Sequence, residues 1–146
     1  MIVAIDPGVN GAIVCKSTHG IKEYKMPEED KLSGFLTGVT SFKNTVVVVE
    51  NVPYTVGQNR PGARIGKLFN NYGFIKGCLS MLPVETVFVT PKKWESLYAP
   101  LPKEYAKKKA SLWEVAKNIY KDIGVHKYAA DAFLLLNWYE KTVLEK

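Results

Sequence analysis

The chain has 146 residues, 47% of them hydrophobic, with 20 Lys and Arg against 14 Asp and Glu for a formal net charge of +6. That is one domain's worth of chain with material for a real core, and no apolar run is long enough to span a bilayer. The basic balance favours a polyanionic partner.

The first stretch, Ile2-Val3-Ala4-Ile5-Asp6-Pro7-Gly8, is an apolar run that closes on a carboxylate and is broken by Pro-Gly. Its β-branched residues predict a central strand buried on both faces. A buried carboxylate is costly unless it is paired or holds a metal; the alternative is an aspartate capping a turn. Asp6 also interrupts what would be the apolar region of a secretion signal, so a cytoplasmic protein with Cys15 and Cys78 reduced is expected. Residues 12–16 predict a second strand, joined to the first as a hairpin through Val9-Asn10-Gly11, with Asn10-Gly11 supplying positive φ. Residues 21–26 predict a third strand. Pro27-Glu28-Glu29-Asp30 places acid at a helix start, and 31–42 is a weak helix because of Gly34 and Gly38.

Residues 45–50, Thr-Val-Val-Val-Val-Glu, repeat the pattern of the first strand. If the two lie side by side and parallel, Asp6 and Glu50 emerge at the same carboxyl edge, where sites form in open α/β sheets. Their repulsion would be relieved by a divalent cation. A loop over 51–62 leads to a long helix over 63–81. Its Gly66, Gly73 and Gly77 suit close approach, either of helix on sheet or of a second copy.

A strand follows over 86–90, and Pro91 opens a short helix. Residues 103–121 form a basic amphipathic helix, with Tyr105, Leu112, Ala116 and Ile119 facing inward and Lys103, Lys107, Lys117 and Lys121 off that face. The last helix begins near Lys127 and is apolar on nearly all sides over 129–139, so it is buried. Asp131 is the one charge inside that run. Buried charges are paired or bind metal; an exposed aspartate is the alternative. With only His19 and His126 present, no Cys/His spacing suggests zinc.

The fold class is α/β, a mixed sheet of about five strands flanked by helices. Its element order and a set of motifs go together: Ile5-Asp6-Pro7-Gly8 with Asn10-Gly11-Ala12; Val49-Glu50; Gly66-Lys67-Leu68-Phe69 with Gly73 and Gly77; Val89-Thr90-Pro91-Lys92-Lys93-Trp94; and Ala130-Asp131-Ala132-Phe133-Leu134-Leu135. In this combination the chain resembles the RNase H-like superfamily and, within it, RuvC-type Holliday junction resolvases, the compact phage branch above all.

That resemblance implies a single RNase H-like nuclease domain over 1–146 and a homodimer that resolves four-way (Holliday) DNA junctions by symmetrical nicking. Asp6, Glu50 and Asp131 would hold Mg²⁺ or Mn²⁺, hard ions suited to oxygen ligands. The family has a fourth ligand, an Asp or His, shortly before the last acid, where this chain has His126, Lys127 and Tyr128. His126 is the candidate, with a solvent-facing loop histidine as the alternative; Lys127 could instead lie near the scissile phosphate, and Asp122 is an ordinary surface acid. The DNA contacts would come from Lys92 and Lys93, then Arg60, Arg64, Lys67, Lys107, Lys108 and Lys109. Tyr54 would stack on an unpaired base or pack in its loop, and Trp94 and Trp113 would anchor the core. The competing functions are a broader nuclease of flaps and forks, and a junction-binding protein with weak or no cleavage.

Overall fold

The computed structural model describes residues 1–53 and 62–145. In chain order the elements are β1 (Ile2–Asp6), β2 (Ala12–Ser17), β3 (Gly20–Lys25), α1 (Glu29–Thr40), β4 (Val46–Glu50), α2 (Gly62–Ser80), β5 (Glu85–Val89), α3 (Pro91–Glu95), α4 (Tyr105–Ile119) and α5 (Ala130–Tyr139). A 3-10 turn over Lys127–Ala129 leads into α5, and a π-helical turn over Glu140–Leu144 follows it.

The strands form one mixed sheet of five in the order β3-β2-β1-β4-β5. The hairpin strands run antiparallel, while β4 is parallel to both β1 and β5. The two apolar runs thus sit side by side at the sheet's centre, covered on both faces, which is why neither alternates with polar residues.

Side chains alternate along a strand, and the two faces of β1 go to different layers. Val3 and Ile5 pack with Leu32, Leu36, Ile75 and Leu79 of α1 and α2. Ala4 packs with Leu112, Phe133 and Leu136 of α4 and α5. Asp6 shares the parity of Ala4, and Glu50 that of Val48, so both acids belong to the α5 side. Every residue of α5 is buried. No helix among the described residues is long and apolar enough to cross a membrane.

Three local expectations are corrected. The turn after β1 takes its positive φ at Gly8 (117°), not at Asn10-Gly11. Gly11 is required for space instead, because a Cβ there would stand 2.0 Å from the Asp6 carbonyl oxygen. Gly66, Gly73 and Gly77 serve no helix-on-sheet approach among the described residues, since a Cβ on any of them meets none of these within 4 Å. On α4, Leu112 and Ala116 are buried as expected, but Tyr105 and Ile119, at the helix ends, are 58% and 42% exposed. Lys109 lies on the inward side with Leu112 and Ala116, one helical turn and two turns before them.

Candidate active site

The carboxyl edge of the sheet places the strand-end residues in one row. Asp6 is opposite Ala12, which is opposite Lys25; Glu50 is opposite Val89; and Ile5 pairs with Val49, so the two acids are the next residues along neighbouring strands. Parallel neighbours stand about 4.8 Å apart. Asp131 enters from above, in the first turn of α5, and is buried.

Asp6 and Glu50 both feel the charge of Asp131. Burial raises Asp6 well above the ordinary carboxylate range, and the charges of Glu50 and Asp131 raise it further, against a smaller pull from Lys109. Burial likewise pushes Glu50 up to about 7, with Asp131 adding to the rise and Trp94 and Lys109 opposing it. Such upward shifts of buried acids are a common signature of a working site. Among the described residues, however, no three His, Cys, Asp or Glu side chains are arranged to share one metal ion as they lie.

Lys109 and Trp94 organise this set. The Lys109 ammonium is ion-paired with Asp131. Burial works against that ammonium, yet the charge and hydrogen bond of Asp131, helped by Asp6, hold its pKa above the ordinary lysine value. Trp94, fully buried in α3, donates its indole N–H to Glu50 Oε2 at 2.8 Å. A buried indole N–H needs an acceptor, and this one fixes the rotamer of Glu50. Beside it, Glu95 is paired with Lys108 at 2.8 Å.

His126 does not join the acids. Its ring nitrogen Nδ1 is bonded to Glu23 of β3, and its side chain is 69% exposed. Tyr128 donates its hydroxyl to the same Glu23 at 2.9 Å and stacks on the His126 ring with centroids 5.5 Å apart. The physical reason is the extended backbone at His126, φ −76° and ψ 149°, ahead of the 3-10 turn. It carries the ring toward β3, two strands away from β1, and Glu23 receives it there. Lys127 is exposed in that turn.

The cations expected to meet DNA fall into two groups. Lys92, Lys93, Arg64 and Lys67 are exposed, with the Lys93 ammonium 5.6 Å from the Trp138 ring centroid. Lys107, Lys108 and Lys109 are paired with Glu104, Glu95 and Asp131. Tyr54 and Arg60 lie outside the described residues. Two partners were missed from sequence: Glu23 as the anchor of the 126–128 turn, and Lys109 as the counter-ion of the acids. The second had a signal, its helical spacing from Leu112 and Ala116, which puts a lysine on a buried face and demands a carboxylate there.

No protein-family model matches the chain, and neither does any curated protein. Solved structures do. RuvC of T. thermophilus in complex with a Holliday junction substrate superposes with a TM-score of 0.56 at 14% identity, over 97% of this chain and 96% of that one. A second Thermus thermophilus RuvC structure gives 0.54 at 16% identity, over 96% and 95%. The chain therefore has the fold of RuvC, an RNase H-like α/β fold with a mixed five-stranded sheet.

Proposed function

We propose that this chain is a divalent-metal-dependent DNA endonuclease that resolves four-way junctions, acting as a homodimer through Asp6, Glu50 and Asp131. The observation that carries the reading is the pair Asp6 and Glu50 at the ends of neighbouring central strands of a RuvC-type sheet, both raised by burial and by the charge of Asp131 from α5. All three offer hard oxygen donors, the chemistry that Mg²⁺ and Mn²⁺ prefer, and the crowding of acids that raises Asp6 and Glu50 would be relieved by a bound cation. Bound ions would supply a deprotonated water and charge stabilisation at the phosphate. The chain's own residues do the rest. Trp94 holds Glu50 in one orientation, Lys109 offsets part of the acids' charge, and exposed Lys92, Lys93, Arg64 and Lys67 supply phosphate contacts that position DNA without reading its sequence.

A second reading is a junction-binding protein with weak cleavage. It is favoured by the pairing of Asp131 with Lys109 and by the absence, among the described residues, of a ready three-ligand group. One experiment separates them. A labelled four-way junction, a fork and a linear duplex are incubated with and without Mg²⁺ or Mn²⁺. Symmetrical nicks in the junction alone support the resolvase, cutting of every branched substrate supports a broader nuclease, and a gel shift without nicks supports the binding protein. Asp6→Asn and Glu50→Gln are expected to abolish cutting and leave junction affinity within about threefold; cutting at the parental rate in both would refute the assignment.

A further inference from the structure

The ladder between β1 and β4 ends at Ile5 and Val49, one residue short of the two acids. Beyond that point both strand ends are held by adjacent residues of α2. Asn71 accepts the Gly8 N–H on its Oδ1 at 2.7 Å, within the turn that leaves Asp6. Tyr72 donates its hydroxyl to Asn51 Oδ1 at 2.6 Å, and Asn51 directly follows Glu50. Both α2 side chains are buried.

The two grips are seated firmly. Gly8 adopts φ 117°, and a Cβ there would lie 3.3 Å from Leu68 Cδ1, so the turn rests on α2 itself. Asn51 is also held by its own N–H, which donates to the Val89 carbonyl at 2.7 Å. A buried amide side chain on an apolar helix face is expensive to leave without a partner. Here one rigid helix meets the backbone just past one acid and the side chain just past the other.

We infer that Asn71 and Tyr72 are positioning residues that set the spacing of Asp6 and Glu50, acting through the chain beyond each strand end. They approach from the α2 face of the sheet, while the carboxylates share the parity of Ala4 and Val48 on the α5 face, so the clamp touches no reacting atom. The inference rests on the nuclease reading of the site for its effect on rate, and on the hydrogen bonds alone for its effect on the strand ends.

Tyr72→Phe, which removes only the hydroxyl, and Asn71→Leu, which removes the acceptor at similar volume, are compared with Ile75→Val, which thins the same buried helix face and touches neither bond. Single-turnover cutting of a four-way junction is expected to fall about tenfold in each clamp variant with junction Kd within twofold, because small misplacements of reacting groups carry large rate penalties. The Mn²⁺ midpoint, read from the electron paramagnetic resonance of free Mn²⁺, should rise several-fold. Ile75→Val should lower Tm and leave rate and midpoint unchanged. Parental rate and midpoint in both clamp variants would overturn the inference, as would an equal loss in Ile75→Val. In ion-free protein, amide exchange at Gly8 in Asn71→Leu and at Asn51 in Tyr72→Phe should quicken while Val3 and Val48 stay protected, and unchanged exchange at both would overturn the clamp. Failure of the parent to cut any junction would instead refute the nuclease reading, with the exchange arm still deciding the clamp.

Discussion

Between mildly acidic and neutral pH, Glu50 should make this protein less stable in the absence of divalent ions. Burial and the neighbouring Asp131 raise its carboxyl from 4.5 to about 7. The folded form therefore binds this proton more tightly than the unfolded chain does. Its stabilising effect is complete below pH 4.5 and has gone once the pH passes about 7. At about 1.4 kcal/mol for each pH unit the loss is about 3 kcal/mol, and Asp6, raised by the same causes, adds in the same direction. Glu50→Gln keeps an oxygen for the Trp94 N–H and cannot ionise. Its stability relative to the parent should grow by about 3 kcal/mol between pH 4.5 and pH 8, roughly 6–12 °C in Tm for a chain of this size. Urea unfolding of both proteins across that range, in EDTA, measures the difference. Mg²⁺ at pH 8 should then recover stability in the parent and much less in the variant, by binding the folded form. A difference that stays level with pH, or narrows as pH rises, would refute the account of a charged acid held against its neighbours.

Other outcomes follow from the same geometry. Lys109→Met leaves Asp131 buried without its counter-ion and should lose about 2 kcal/mol in EDTA at pH 8, a figure already reduced for the partial exposure of the lysine; Mg²⁺ should close much of the gap, and a parental urea midpoint in EDTA would count against the pairing. Gly11→Ala places a methyl against the Asp6 carbonyl and should cost more than about 3 kcal/mol, whereas Gly20→Ala, strained in φ but facing open space, should cost about 1 kcal/mol; thermal melts of the two rank them. His126→Ala should leave the Mg²⁺ dependence of cutting unchanged, because its ring is bonded to Glu23, and a right-shifted titration would return it to the ligand set. Glu23→Ala, which strips the acceptor from both His126 and Tyr128, should cost about 1–2 kcal/mol in urea melts.

Much of the frame was legible because hydrophobic pattern is local. Unbroken apolar runs at 2–5 and 46–49, rich in β-branched residues, announced central strands, and the acids that end them stood out for want of any structural use. Asp131 was legible in the same way, as a charge inside a helix buried on every side. The turn chemistry was misread because Asn10-Gly11 suits a hairpin on propensity alone, while the actual constraint on Gly11 is the approach of the Asp6 carbonyl. The contact of His126 with Glu23 was not legible, because a preference for ligand chemistry says nothing about which strand its backbone faces.

By itself, the order of residues determined which segments become strands and helices, which faces are apolar, and which carboxylates are too expensive to bury idly. Those properties depend on neighbours within a turn or a strand, so they can be read from spacing. Tertiary structure alone decided that Lys109 faces Asp131, that Trp94 orients Glu50, and that Asn71 and Tyr72 grip the ends of both central strands. These contacts join residues far apart in the chain, and whether two such groups meet depends on sheet order and helix docking, which no local pattern encodes.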